Sequence, residues 1–218
     1  FDFQHQLMYL IPQDGREWKK NDQGYVDYAY SVIRDSILSS GGGALVLFTS
    51  FAMMNEVYER VAEDIGKDME LLLQNQNTSR HVLLNRFKTN EDSSLFATAS
   101  FWEGIDAPGN TLRLVIIVKL PFEVPSDPIY MARSSYIDQH SDRGSFMTLT
   151  VPNAVIKMKQ GVGRLIRNEE DKGIVMILDG RIVKKSYRHT MFSSLPEGYY
   201  PEDTMVENIP SKIENFLY

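Results

Sequence analysis

The chain contains no cysteine among its 218 residues, which excludes disulfides and cysteine-ligated zinc or iron–sulfur centres within this stretch. No apolar run reaches the roughly 18 residues that read as a membrane-spanning helix. The opening Phe1-Asp2-Phe3-Gln4-His5-Gln6 lacks the basic and apolar regions of a secretory signal, so a cytoplasmic location is the default expectation. Absence of an initiating Met points to a fragment or a processed product. His5, His81, His140 and His189 are scattered without ligand spacing, and no metal site is expected. A Gly-x-x-x-x-Gly-Lys-Ser/Thr loop for a triphosphate is also missing, because Gly41-Gly42-Gly43 lacks the lysine. Nor is any strand end rich enough in acid to hold Mg²⁺.

Net charge is −6, which argues against nucleic-acid binding by bulk attraction but leaves room for a local groove. Positive charge gathers at Lys157, Lys159, Arg164 and Arg167, and again at Arg181, Lys184, Lys185 and Arg188. Acid concentrates in Glu169-Glu170-Asp171 and the C-terminal tail. This segregation is what a one-sided anion site requires, and it also arises by chance.

With 43% hydrophobic residues the chain can bury a large core. Short, strongly apolar runs at 6–11, 44–49, 69–73, 94–99, 114–119 and 174–178 predict strands buried on both faces, as in a parallel sheet. Helical patterns fall between them at 25–38, 51–63, 79–87, 127–139 and 152–167, with Pro152 acceptable in a first turn. Residues 39–43 close the first of these helices, and Thr49 or Ser50 opens the second. The alternation implies a doubly wound α/β sheet. Residues 144–150 have no clear identity, and the tail 196–210 reads as irregular before a short helix at 211–217.

In such a sheet ligands sit beyond the carboxyl ends of the strands, so the loops there carry the chemistry. Thr49 and Ser50 follow one strand and either cap the next helix or bind a phosphate. A second loop, Ser100-Phe101-Trp102-Glu103-Gly104-Ile105-Asp106-Ala107-Pro108-Gly109, combines a hydroxyl, aromatics and acids. Glu103 and Asp106 flank Gly104 and suit hydrogen bonds from ribose hydroxyls or from arginines. Phe101 and Trp102 either stack on a base or belong to the core. The proline-rich loop 120–128 sets the start of the next helix or offers a nucleic-acid contact.

The most informative segment is Gln160-Gly161-Val162-Gly163-Arg164-Leu165-Ile166-Arg167. At about 100° per helical residue, Arg164 and Arg167 fall roughly 40° and 20° to either side of Gln160. The expectation is one polar face of an amide and two guanidinium groups, with Leu165 and Ile166 turned to a core. Arginine forks match phosphate oxygens. Gly161 and Gly163 each cost about 1 kcal/mol inside a helix, which close approach of a ligand or tight packing would explain. Arginines that meet a triphosphate without a loop to cradle it make half of an active site.

These residues resemble a known family. Gln160 to Arg167 is similar to motif VI of superfamily-two helicases, Ser100 to Asp106 to motif V, and Leu45-Val46-Leu47-Phe48-Thr49-Ser50 to motif IV of the XPD/DinG branch. Ser100-Phe101-Trp102-Glu103-Gly104-Ile105-Asp106 and Lys119-Leu120-Pro121-Phe122 resemble DinG more than XPD. The resemblance implies a RecA-like second motor domain over residues 1–195 and a tail with a short helix over 196–218. It implies a first motor domain as partner, holding most of the ATP and Mg²⁺. Arg167 is then the arginine finger, with Arg164 beside it on the γ-phosphate and Gln160 positioning nucleotide or water. Gly104 and Asp106 contact ribose, Glu103 couples the nucleotide to the strand, and Gly163 lies at the nucleotide cleft. Thr49, Ser50 and Ser100 touch single-stranded DNA. Alternatives are a DinG-like 3′–5′ exonuclease regulated by its motor domains, a non-catalytic nucleic-acid-binding module, and a Rossmann-like transferase, for which no dinucleotide fingerprint exists.

Overall fold

The computed structural model describes residues 3–98, 101, 111–123, 127–162, 165–166, 168–194 and 201–218. The order is α1 (Phe3–Gln6), β1 (Leu7–Pro12), α2 (Gln23–Ser40), β2 (Ala44–Phe48), α3 (Phe51–Ile65), β3 (Leu71–Leu73), α4 (Arg80–Thr89), β4 (Ser94–Thr98) and β5 (Leu114–Ile117). Then follow α5 (Pro128–His140), a π-helical turn (Phe146–Thr150), α6 (Val151–Val162), β6 (Gly173–Ile177), α7 (Arg181–Lys184), α8 (Tyr187–Ser193), β7 (Glu202–Thr204) and α9 (Ile209–Leu217).

All seven strands are parallel, in the order β3-β4-β2-β5-β6-β1-β7. The central register aligns Leu45 with Leu95 and Val115, and Val115 with Val175. Because side chains alternate along a strand, the two parities form two separate cores. Leu45, Leu47, Val115, Ile117, Val175 and Ile177 meet α4, α6, α7 and α8 through Phe87, Ala154, Met158, Ile182 and Met191. Val46, Phe48, Ile116, Ile174 and Met176 meet α2, α3 and α9 through Ile33, Ile37, Val57, Val61 and Ile213. A strand buried on both faces has no polar parity, hence the continuous apolar runs. This is a parallel α/β sheet flanked by helices, as expected.

Local signals behave as their chemistry dictates. Asp22, Ser79 and Asp127 each cap a helix by accepting a backbone N–H. Gly41 closes α2 in the left-handed conformation, φ 63°.

Two sequence expectations need correction. The tail is not wholly irregular: Glu202–Thr204 pairs with β1 as an edge strand, and α9 packs its Ile209 and Ile213 into the second core. Acidic side chains lower strand propensity, so this strand is assigned by its partner and not by its own pattern. Residues 146–150, which had no identity, form the π-helical turn that runs directly into α6.

Candidate functional site

Parallel strands deliver all their carboxyl ends to one edge of the sheet, and the segments that leave β1, β2, β5 and β6 meet there. Thr49 and Ser50 leave β2 and are both exposed. Ser50 occupies the N-cap position of α3 in extended conformation, yet its hydroxyl makes no capping bond, unlike the caps of α2, α4 and α5. The expectation that one of these hydroxyls caps α3 is therefore met in position and not in bonding.

Lys119 leaves β5 beside them. Its Nζ lies 3.3 Å from the centre of the Trp18 ring. Burial and the nearby Arg181 charge lower its pKa, with Asp179 opposing them. Asp179, which follows β6, has no solvent exposure. Its carboxylate accepts from Arg181 Nε at 2.9 Å and from the Leu120 backbone N–H at 3.2 Å. Burial pulls the Arg181 pKa down, but its bonds and attraction to Asp179 leave it raised overall. Tyr25 donates its hydroxyl to the Val118 carbonyl. Asp179, Arg181 and Tyr25 thus fix the start of the Lys119-Leu120-Pro121-Phe122 loop from below.

Thr49 lines two cavities. One, about 390 Å³, opens toward Trp18, Lys119 and Ser50. The other, about 470 Å³, lies between the β5 loop, α5 and α6 and is lined by Phe122, Tyr130, Arg133 and Lys157 among others. Lys157 pairs with Glu123 at 3.5 Å, and Asn153 donates to the same carboxylate at 3.1 Å. The N-terminal turns of α6 therefore belong to the carboxyl edge of the sheet.

The far end of α6 belongs to the opposite edge. Leu165 and Ile166 are buried, as expected, and Leu165 packs against Gly173, the first residue of β6, where an added Cβ would stand 2.8 Å from its Cδ2. Gln6, just before β1, donates to the carbonyls of Asn168 and Asp171 at 2.7 and 3.1 Å. Gln160 is exposed in the last turns of the helix.

A helix continuous to residue 167 is not what forms. The described helix ends at Val162, Leu165 stands in a turn and Ile166 is non-helical. The single-face arrangement of Gln160, Arg164 and Arg167 therefore cannot be taken from helical periodicity. Gly161 sits in the last described turn, where a glycine costs about 1 kcal/mol relative to alanine, and Leu165 and Ile166 are buried beyond it. Arg164, Arg167, Gly163, Ser100, Glu103, Gly104 and Asp106 lie outside the described residues. Of the aromatics after β4, Phe101 is buried in the first core, with the Arg80 guanidinium 5.1 Å from its ring centre, so it is not a stacking platform. Trp102 lies outside the described residues.

Three of the four cations in the second basic cluster are paired: Arg181 with Asp179, Lys184 with Glu17 at 3.5 Å, and Arg188 with Asp203 at 2.7 Å, while Lys185 is exposed. Sequence reasoning assigned Lys119 no site role, although it closes the predicted strand 114–119 and opens the Lys119-Leu120-Pro121-Phe122 segment; nothing local marks Trp18, which comes from the β1–α2 connection. Among the described residues no group of three or more His, Asp or Glu side chains could hold a metal ion. No helix among them is long and apolar enough to cross a membrane.

Residues 33–198 match the helicase C-terminal domain family model. The chain is 38% identical over 198 residues to the ATP-dependent DNA helicase YoaA of Escherichia coli, covering 90% of this chain and 30% of that protein. It is 37% identical over 201 residues to the ATP-dependent DNA helicase DinG of Photobacterium profundum, covering 90% and 28%. With the 3′-5′ exonuclease DinG of Bacillus subtilis identity is 32% over 201 residues, covering 90% and 21%. The chain thus spans between a fifth and a third of the length of these relatives. In fold it is similar to an XPD helicase structure, with a TM-score of 0.64 at 21% identity over 91% of this chain and 35% of that one. Motif order, parallel sheet and family match agree, and the chain belongs to the helicase C-terminal domain family, in its DinG-like branch.

Proposed function

We propose that this chain works as the second motor domain of an ATP-dependent DNA helicase, closing on a first motor domain that holds ATP. The observation that carries this reading is the course of α6. Its first turns line a cavity with Thr49, and its last turns lead into the Gln160 to Arg167 segment. At 1.5 Å per residue the helix separates the two by only about 10 Å. A rigid rod between a strand-gripping edge and a nucleotide-facing segment is what coupling hydrolysis to movement requires.

In this proposal Thr49, Ser50 and Ser100 hold phosphates of single-stranded DNA, with Lys119 as an added cation. ATP is the substrate: water attacks the γ-phosphorus, ADP leaves, and charge spreads over the transferring oxygens. Arg167 and Arg164 neutralise that charge, Gln160 orients the water or nucleotide, and Glu103, Gly104, Asp106 and Gly163 complete this side of the cleft. Arginine fingers contribute about 10³ to 10⁵ in rate in related phosphoryl transfers. The Mg²⁺ of bound ATP is assigned to the first motor domain. The chain by itself is expected to turn over no ATP.

The test is Arg167→Ala in the full-length protein. ATPase should be lost while folding and most single-strand binding persist; a rate within a few-fold of wild type overturns the assignment. A second reading, in which the motor domains regulate a 3′–5′ exonuclease, draws on the name of the Bacillus subtilis relative. Exonuclease activity of the full-length protein that responds to ATP would favour it.

A further inference from the structure

We propose that the 470 Å³ cavity between α5 and α6 receives one unstacked nucleobase of the bound strand. This rests on the reading that Thr49 and Ser50 grip the strand, and it names what lies next to that grip. Volume falls within the range typical of small-molecule sites, about 300–1,000 Å³. Its rings are held in place beforehand. Tyr130 is tied through its hydroxyl to Thr150. Phe122 is packed edgewise by Phe146 and Tyr187, with ring centres 5.3 and 5.5 Å away.

Charge identifies the kind of ligand. Lys157 is paired with Glu123, and the Asp127 carboxylate is engaged by the backbone N–H groups of Ile129 and Tyr130 at 2.8 and 2.9 Å. Two carboxylates, Glu123 and Asp127, thus face two cations, Lys157 and Arg133, around the cavity, and this lack of excess positive charge suits a neutral planar ring better than a phosphate. The Asn153 amide and the Glu123 carboxylate give such a ring polar atoms to meet. Arg133 is exposed at the rim and makes no ion pair among the described residues, leaving it for the next phosphate.

The position of α5 adds a second argument. This helix buries none of its side chains, and Ile129, at the cavity mouth, is 67% exposed. A helix that contributes little to the core and holds an isoleucine and a tyrosine beside a cleft continuous with Thr49 is placed for a passing strand. Stacking of a base on an aromatic ring is sequence-tolerant, which suits a motor that must move along any sequence.

The experiment compares single-strand binding by the full-length protein to an oligonucleotide and to the same backbone with abasic sites. Tyr130→Ala should weaken binding of the intact strand on the order of tenfold and leave abasic binding unchanged, while Tyr130→Phe, which keeps the ring but not its tie to Thr150, should lose less than the alanine variant. Equal loss on both strands, or no loss on either, overturns the base pocket. Photo-crosslinking of the wild-type protein to a 5-iodouracil strand keeps the test independent of the variant's folding. Crosslinks at Tyr130 or Phe122 support the proposal; crosslinks confined to other elements overturn it, including the outcome in which another domain fills the cavity. Thr49→Ala with Ser50→Ala separates the two readings. If that variant binds as wild type, the phosphate grip fails; if it is weakened while Tyr130→Ala makes no distinction between strands, the base pocket alone fails.

Discussion

The two edges of the sheet are built from similar residue types and treated in opposite ways. At the amino edge, several of the described polar groups are consumed by the chain itself. Arg113 donates to the carbonyls of Ser40 and Gly41 at 3.1 and 2.8 Å, Tyr218 donates to the Ser40 carbonyl at 2.9 Å, and Gly43 N–H reaches Ser93 at 3.0 Å. At the carboxyl edge, Thr49 and Ser50 stand exposed without a cap bond, Lys119 holds a lowered pKa, and two cavities open. Beneath that open layer sits a closed one, Asp179 with Arg181 and Tyr25. Bonds closed within the chain stabilise the fold, whereas groups left uncommitted are kept for a ligand. The amino edge keeps two buried exceptions, Gln6 Oε1 and Ser94 Oγ, without a hydrogen-bond partner among the described residues.

Substitutions that cross this division should have graded effects. The largest is expected for Asp179→Ala, which leaves the half-buried Arg181 and the buried Leu120 N–H without their acceptor. Removing one partner of a buried pair typically costs about 3–5 kcal/mol, to be read from urea denaturation; a loss below about 1 kcal/mol would show that the carboxyl edge is not held from beneath. Next is Gly42→Ala at the amino edge. Here φ is +88° and a Cβ would stand 2.1 Å from the Asp92 carbonyl oxygen. Strain of this kind costs about 1–3 kcal/mol, and single-strand binding by the refolded variant should be unchanged.

Smaller effects test the open layer. Lys119→Met should weaken single-strand binding and reduce its salt-dependence slope by about one. Because burial and Arg181 lower the Lys119 pKa on folding, the folded state binds that proton less well than the unfolded state, and stability in the wild type rises as pH climbs through the lowered value. Removing the charge relieves that penalty but gives up the contact with Trp18, so the net change at neutral pH should be small, within about 0.5 kcal/mol. The smallest stability change belongs to Thr49→Ala with Ser50→Ala, within about 0.5 kcal/mol of wild type in thermal unfolding. A larger loss would mean that these hydroxyls support the fold after all.

How much was legible follows from whether the signal is local. Six strands and the longer helices could be read because each carries its own pattern: apolar runs for β1, β2, β3, β4, β5 and β6, and Asp22, Ser79 and Asp127 as caps. The strand Glu202–Thr204 could not, since only its pairing with Ile11 and neighbouring residues makes it a strand. The end of α6 was misread for the same reason. Periodicity continues through Leu165 and Ile166, but both are buried outside the helix, Leu165 against Gly173. The basic cluster at Arg181 to Arg188 looked free in sequence because its carboxylate partners Glu17 and Asp203 come from distant segments.

Sequence alone determined the parallel α/β architecture, the family through its ordered motifs, and the residue types offered to phosphate. These depend on local pattern and composition, which the chain carries along its length. Tertiary structure decided which cations remain uncommitted, which aromatic is core and which lines a cavity, and that α6 joins the Thr49 edge to the segment following Val162. Such outcomes depend on pairs far apart in the chain, as when Asp179 takes up Arg181 and the N–H of Leu120, and no periodicity records who meets whom.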